Sequence, residues 1–142
     1  MTALFISSLF LLAVYSSQVT YTTCSNNQKL VVNSIEAIPW PPESGVTIII
    51  TMNITTSEKV ETLMLENVLE SKYGMFWVEL STTKNNLCDT TIDCPILGNK
   101  TFKMAMEIPP MTPTNSQWRA TLSFKREENK IGCVRLDPFV VS

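Results

Sequence analysis

The chain has 142 residues, a formal charge of −2, no histidine and four cysteines. That length suits one domain, and the slightly acidic balance excludes a basic nucleic-acid binder. Without histidine no Ser-His-Asp or Cys-His nucleophile can form, and no glycine-rich phosphate loop is present. The chain therefore reads as a non-enzyme with no cofactor.

The first element is MTALFISSLFLLAVYSS, Met1 to Ser17, which carries no charged side chain and is apolar from Ala3 to Tyr15 apart from Ser7 and Ser8. A bilayer span takes roughly 20 residues, so the run is too short to cross comfortably. Its small-residue end, Val14-Tyr15-Ser16, suits signal peptidase, although the usual Lys or Arg is missing from the start. Residues 1–17 are expected to be a cleaved signal and residues 18–142 the mature domain, secreted or delivered to the endolysosomal lumen.

An even number of cysteines in that compartment favours disulfides, with three pairings open among Cys24, Cys88, Cys94 and Cys133. A zinc site needs closely paired ligands or histidine. Here the close pair, Cys88 and Cys94, is six positions apart and the other two are distant, so no metal is expected.

The mature chain then runs through short alternating segments divided by turn residues, the pattern of antiparallel sheets. Lys29 to Ala37 is a first strand, stopped by IPWPPESG. Val46 to Thr55 puts Val46, Ile48, Ile50, Met52 and Ile54 on one face. Lys59 to Leu69 is ambiguous, because ETLMLENVLE also has helical propensity. Lys72 to Ser81 is read as a strand with Phe76, Val78 and Leu80 on one face. Thr101 to Ile108 aligns Phe102, Met104, Met106 and Ile108. Gln117 to Lys125 aligns Trp118, Ala120, Leu122 and Phe124, and Ile131 to Val141 is a last strand broken by Pro138. The mixed charges of Lys125, Arg126, Glu127, Glu128 and Lys130 mark a solvated hairpin end.

About seven antiparallel strands, each with one apolar face, give an all-β, immunoglobulin-like β-sandwich. Asn53-Ile-Thr and Asn99-Lys-Thr are glycosylation sequons on expected exposed positions. The spacing of Cys24, Trp40 and Cys88 imitates a true immunoglobulin domain. Against that reading, Trp40 lies between Pro39 and Pro41, and Asn86 stands where a tyrosine corner needs Tyr.

The order of features has another match. A cysteine soon after the signal precedes Pro39-x-Pro41-Pro42-x2-Gly45, then Cys88-x5-Cys94-Pro95-Ile96, an Ile-Pro-Pro closing the next strand, and Cys133-Val134. From Cys24 to Val141 this resembles the ML lipid-recognition domain, most of all its phosphatidylglycerol/phosphatidylinositol transfer branch, related to the soluble Niemann–Pick type C sterol carrier. The resemblance implies bridges Cys24–Cys133 and Cys88–Cys94. Chain entropy assigns roughly 4–5 kcal/mol to the longer loop and about 2.4 kcal/mol to the shorter.

It also implies an inter-sheet apolar pocket lined by Ile48, Ile50, Phe76, Val78, Leu80, Met104, Met106, Ile108, Trp118, Leu122 and Phe124. The same faces make an ordinary core equally well. Methionines 52, 64, 104, 106 and 111 add an adaptable apolar surface. The pocket-entrance positions of the sterol-carrier relatives fall here on Leu80, Pro110 and Thr114; the two aromatics found there are absent, which favours the phospholipid branch. Lys84, Lys103 and Arg119 are the candidate partners of a phosphate headgroup, although charged residues near strand ends are usually just solvated. The expected protein is a monomer that carries a phospholipid or sterol and touches membranes transiently. The alternative is an extracellular immunoglobulin-like interaction module with a filled core.

Overall fold

The structure, a computed structural model, describes residues 17–26, 28–110 and 116–142. The expected signal segment lies outside them except for Ser17, as do Met111 and Thr114. In chain order the described elements are β1 (Ser17–Gln18), β2 (Tyr21–Thr23), β3 (Leu30–Ile38), β4 (Thr47–Val60), β5 (Met64–Tyr73), β6 (Phe76–Asn86), α1 (Leu87–Thr90), β7 (Ile96–Glu107), β8 (Ser116–Arg126), β9 (Asn129–Leu136) and β10 (Phe139–Val141). Seven of the strands are long, the number expected, and three are short; the expected last strand, Ile131 to Val141, is divided into β9 and β10.

All pairings are antiparallel. One sheet has the order β1-β3-β4-β7; the other has β2-β9-β8-β5-β6, with β10 beside β8. The chain therefore forms the expected sandwich. The first strand switches sheets within five residues: Gln18 pairs with Glu36 in one sheet, and Tyr21 pairs with Leu136 in the other.

Alternation explains most of the core. Ile48, Ile50, Met52 and Ile54 of β4 and Trp118, Ala120, Leu122 and Phe124 of β8 are buried between the sheets, as period-2 side-chain alternation requires. In β3 the buried residues change phase, from Leu30 and Val32 to Ile35 and Ala37. A bulge between Val32 and Ser34 accounts for the change, because one extra residue flips every following side chain. Where β3 and β9 converge, an added Cβ at Gly132 would lie 2.7 Å from the Leu30 carbonyl oxygen, so only glycine fits.

Both implied disulfides are present. Cys24–Cys133 ties the N-terminal segment to β9, with Cα atoms 5.1 Å apart, and Cys88–Cys94 closes the loop that follows β6. Asn86 caps α1 by accepting a hydrogen bond from the Cys88 N–H at 3.1 Å. The proline-rich stretch is irregular, with cis bonds at Ile38–Pro39 and Trp40–Pro41. Trp40 leaves that loop to pack on Phe139, ring centroids 4.8 Å apart.

Two local expectations need correction. The ambiguous segment is strand β5 rather than helix, because it pairs with β8 on one side and β6 on the other. The supposed strand Lys72 to Ser81 is a hairpin: β5 ends at Tyr73, the chain turns at Gly74 with φ +61°, and β6 begins at Phe76. Phe76, Val78 and Leu80 also fail to share a face, since Leu80 is the extra residue of a bulge opposite Leu69 and Glu70.

Candidate inter-sheet cleft

The site begins at β5, whose inward face alternates Leu65, Asn67, Leu69 and Ser71, all buried. Directly paired residues of antiparallel strands share a face, so Asn85, Thr83 and Ser81 of β6 point the same way. Sheets pack about 10 Å apart. Three short polar side chains do not span that distance to β7, the edge strand of the opposite sheet. A cleft of about 740 Å³ remains between the two edges. It falls in the roughly 300–1,000 Å³ range of small-molecule sites.

The two walls differ. Met104, Ala105, Met106, Ile108, Pro109 and Pro110 make a largely apolar wall, bordered by Thr47 and Glu107; Ser81, Thr83, Asn85 and Asn67 make a polar one, with Leu69 between them. Gly45 closes one end with φ +77°, its N–H donating to the Ile108 carbonyl at 3.1 Å. Asn67 lies on the floor, 4% exposed, with Nδ2 3.0 Å from the Met106 sulfur. Its Oδ1 has no hydrogen-bond partner among the described residues, and neither does buried Ser71 Oγ.

A second hollow of about 470 Å³ adjoins the cleft, sharing Asn85, Met104 and Ala105 and bordered by Lys84, Lys103 and Asp89. Lys84 also reaches Glu66 at 4.0 Å. The hydrogen bond from Lys125, 2.8 Å away, holds the Glu66 carboxyl below the usual glutamate range. Arg119 is elsewhere: it is bidentate to Glu70 at 3.0 and 3.2 Å and stacks on Trp77 at 4.4 Å, on the outer face.

The residues expected to line a pocket divide into three groups. Met104, Met106, Ile108 and Pro110 are brought together in the cleft. Ile48, Ile50, Trp118, Leu122 and Phe124 are buried in the packed centre of the sandwich. Phe76, Val78 and Leu80 are exposed on β6 and lie outside the lining. The polar wall was missed because the segment holding Asn67 and Leu69 had no assigned secondary structure. The alternation of Ser81, Thr83 and Asn85 was a usable signal, but it reads equally as a solvent face.

The two sequon asparagines lie side by side on the outer face of the other sheet. Asn53 Nδ2 donates to Asn99 Oδ1 at 2.9 Å and to Thr101 Oγ1 at 2.8 Å, while Asn33 Nδ2 donates to Asn53 Oδ1 at 2.8 Å. Among the described residues no group of three His, Cys, Asp or Glu side chains is placed to hold a metal ion.

The fold has counterparts. A Niemann-Pick type C2 protein from Japanese carpenter ant superposes with a TM-score of 0.68 at 16% identity, over 87% of this chain and 99% of that one. Chicken MD-1, complexed with lipid IVa, matches with a TM-score of 0.50 at 10% identity, over 86% and 98%. The C-terminal domain of wzt matches with a TM-score of 0.60 at 7% identity, over 91% and 81%. Comparison with curated protein sequences finds no match. The sequence profile of the ML domain matches residues 18–138, nearly the whole span of the two sheets. This chain belongs to the ML domain family.

Proposed function

We propose that this protein is a lipid carrier that holds a phospholipid or sterol in the cleft between β6 and β7. The observation that carries the reading is the 740 Å³ opening between the free edges of the two sheets in an ML domain. Its apolar wall suits an acyl chain or ring system. Its polar wall suits the oxygen-bearing part of an amphiphile, and behind it Asn67 Oδ1 is buried with no partner among the described residues. Burial contributes about 0.8 kcal/mol per CH₂, and extraction from a bilayer loses a similar amount, so exchange is near balance. That balance fits transfer with transient membrane contact. The phosphatidylglycerol/phosphatidylinositol branch is the preferred identity, with Lys84 and Lys103 beside the adjoining hollow as phosphate partners. Residues 1–17 are proposed as a signal removed on secretion or endolysosomal delivery, and Asn53 and Asn99 as glycan acceptors.

A second reading, an extracellular interaction module, is favoured by the packed centre, where Ile48, Ile50, Trp118, Leu122 and Phe124 are at most 1% exposed. Organic extraction of the purified protein followed by mass spectrometry separates the two. Stoichiometric phospholipid or sterol supports the carrier. Protein that carries no lipid and accepts no fluorescent lipid analogue abandons it. Met104→Trp fills the cleft from a half-buried position and is expected to cut lipid uptake severalfold with the fold retained. Unchanged uptake would remove β7 from the site.

A further inference from the structure

We infer that the β5–β6 hairpin is a membrane-docking element that inserts its tip into a lipid surface and presents the cleft to it. The inference rests on the carrier reading for its purpose and on separate observations for its placement. Met75 is 90% exposed, Phe76 76% and Tyr73 50%, and Val78 and Leu80 follow on β6. Five of the largest exposed apolar side chains thus fall within eight residues, while the other described apolar residues are mostly buried. Isolated exposed side chains need no explanation, but a contiguous patch marks an interaction site.

Three features identify a lipid surface as the occupant. The first is continuity with the cleft. Phe76 pairs with Tyr73 and Val78 with Ser71, so both lie on the same inner face of β6 as Ser81 and Thr83, which line the cleft. From Phe76 to Ser81 the strand rises roughly 15 Å at about 3.3 Å per residue. An acyl chain leaving a bilayer would pass over Phe76 and Val78 before reaching the cleft.

The second feature is charge. The tip from Tyr73 to Val78 carries no charged side chain; Lys72 stands at its start, and Glu79, bonded to the Thr82 hydroxyl, follows it on β6. Lys72 and Arg119 both lie against Trp77 on the outer face. An aromatic and methionine tip with a cation at its shoulder matches the layering of a bilayer, apolar beyond an anionic headgroup zone. The third is the edge itself. A second copy would pair along β6, yet the bulge at Leu80 breaks its register, a device that discourages edge-to-edge pairing.

The test is sedimentation of the mature chain with phosphatidylcholine vesicles, with and without phosphatidylserine. Wild type is expected to bind both and to favour the anionic ones. Met75→Glu with Phe76→Glu is expected to weaken vesicle partition on the order of tenfold or more, and Lys72→Gln to reduce the anionic preference about fivefold. Met75→Ser with Phe76→Ser provides a milder pair should the charged one misfold, with thermal unfolding as the check. Leu97→Glu, an exposed apolar position on β7, should leave binding unchanged. Uptake of lipid presented as dispersed monomers is measured in parallel. Vesicle binding without uptake keeps the docking element and removes the carrier function. Uptake by wild type that never sediments overturns the docking element, as does vesicle binding indifferent to the hairpin variants. A dimer in size-exclusion chromatography that the same variants dissolve would assign the patch to a second copy and overturn it too.

Discussion

Asn67 shows how one side chain can serve a site at the expense of the core. It is 4% exposed and its Oδ1 is unpartnered among the described residues, a state that costs about 1–3 kcal/mol for a buried acceptor. Asn67→Leu is expected to raise the unfolding free energy by about 1 kcal/mol in urea denaturation while weakening retention of hydroxyl-bearing lipids. Lower stability with unchanged retention would make Asn67 a structural residue instead. Gly132 is the opposite case. A methyl there meets the Leu30 carbonyl at 2.7 Å, a backbone atom that cannot swing aside. Gly132→Ala should therefore lower stability by about 1–3 kcal/mol, read from the denaturation midpoint. The inward side chains of β4 from Ile48 to Ile54, of β7 from Phe102 to Met106 and of β8 from Trp118 to Phe124 were legible because apolar residues alternate there without interruption. Asn67 was not, since an isolated polar residue carries no sign of which face it occupies until its strand is paired.

At the scale of elements, β5 and β6 separate local from tertiary information. The sequence of β5 has helical propensity, and pairing with β6 and β8 overrides it, as strand formation often does. The hairpin turn at Gly74 was hidden because the apolar residues on both sides mimic one alternating strand. Ion pairs tie these strands to their neighbours. Hydrogen bonding from Lys125 lowers the pKa of Glu66, and hydrogen bonding from Arg126, with the charge of Lys29, lowers that of Glu58. A carboxyl that binds its proton less tightly when folded adds stability above the ordinary glutamate pKa, about 4.3, and loses it as pH falls through the lowered value. Melting temperature should hence hold through mildly acidic pH and drop below the ordinary glutamate range. Glu66→Gln should flatten part of that drop in a melting series across pH, and an unaltered profile would remove this pair from the acid response.

At the scale of the molecule, two sheets are held by a packed centre and a long covalent bridge. Cys24–Cys133 spans 109 residues, and removing it by paired serine substitution should cost roughly 4–5 kcal/mol. Removing Cys88–Cys94 should cost about half as much, both measured by chemical denaturation without reductant. Equal losses would show that loop length does not set these contributions. Composition, the uncharged N-terminal run, the cysteine count and the strand periodicities were properties of the sequence by itself, and so were the sandwich and most of its inner faces, because alternation reports local burial directly. The order of motifs added the family resemblance and, with it, the disulfide pairing. Only the tertiary structure decided that the centre is filled and that the opening lies at one margin. An inward-facing residue is covered or left open by strands far away in sequence. β6 and β7 are separate edges of two sheets, and no periodicity within either reveals that the described residues leave the space between them open.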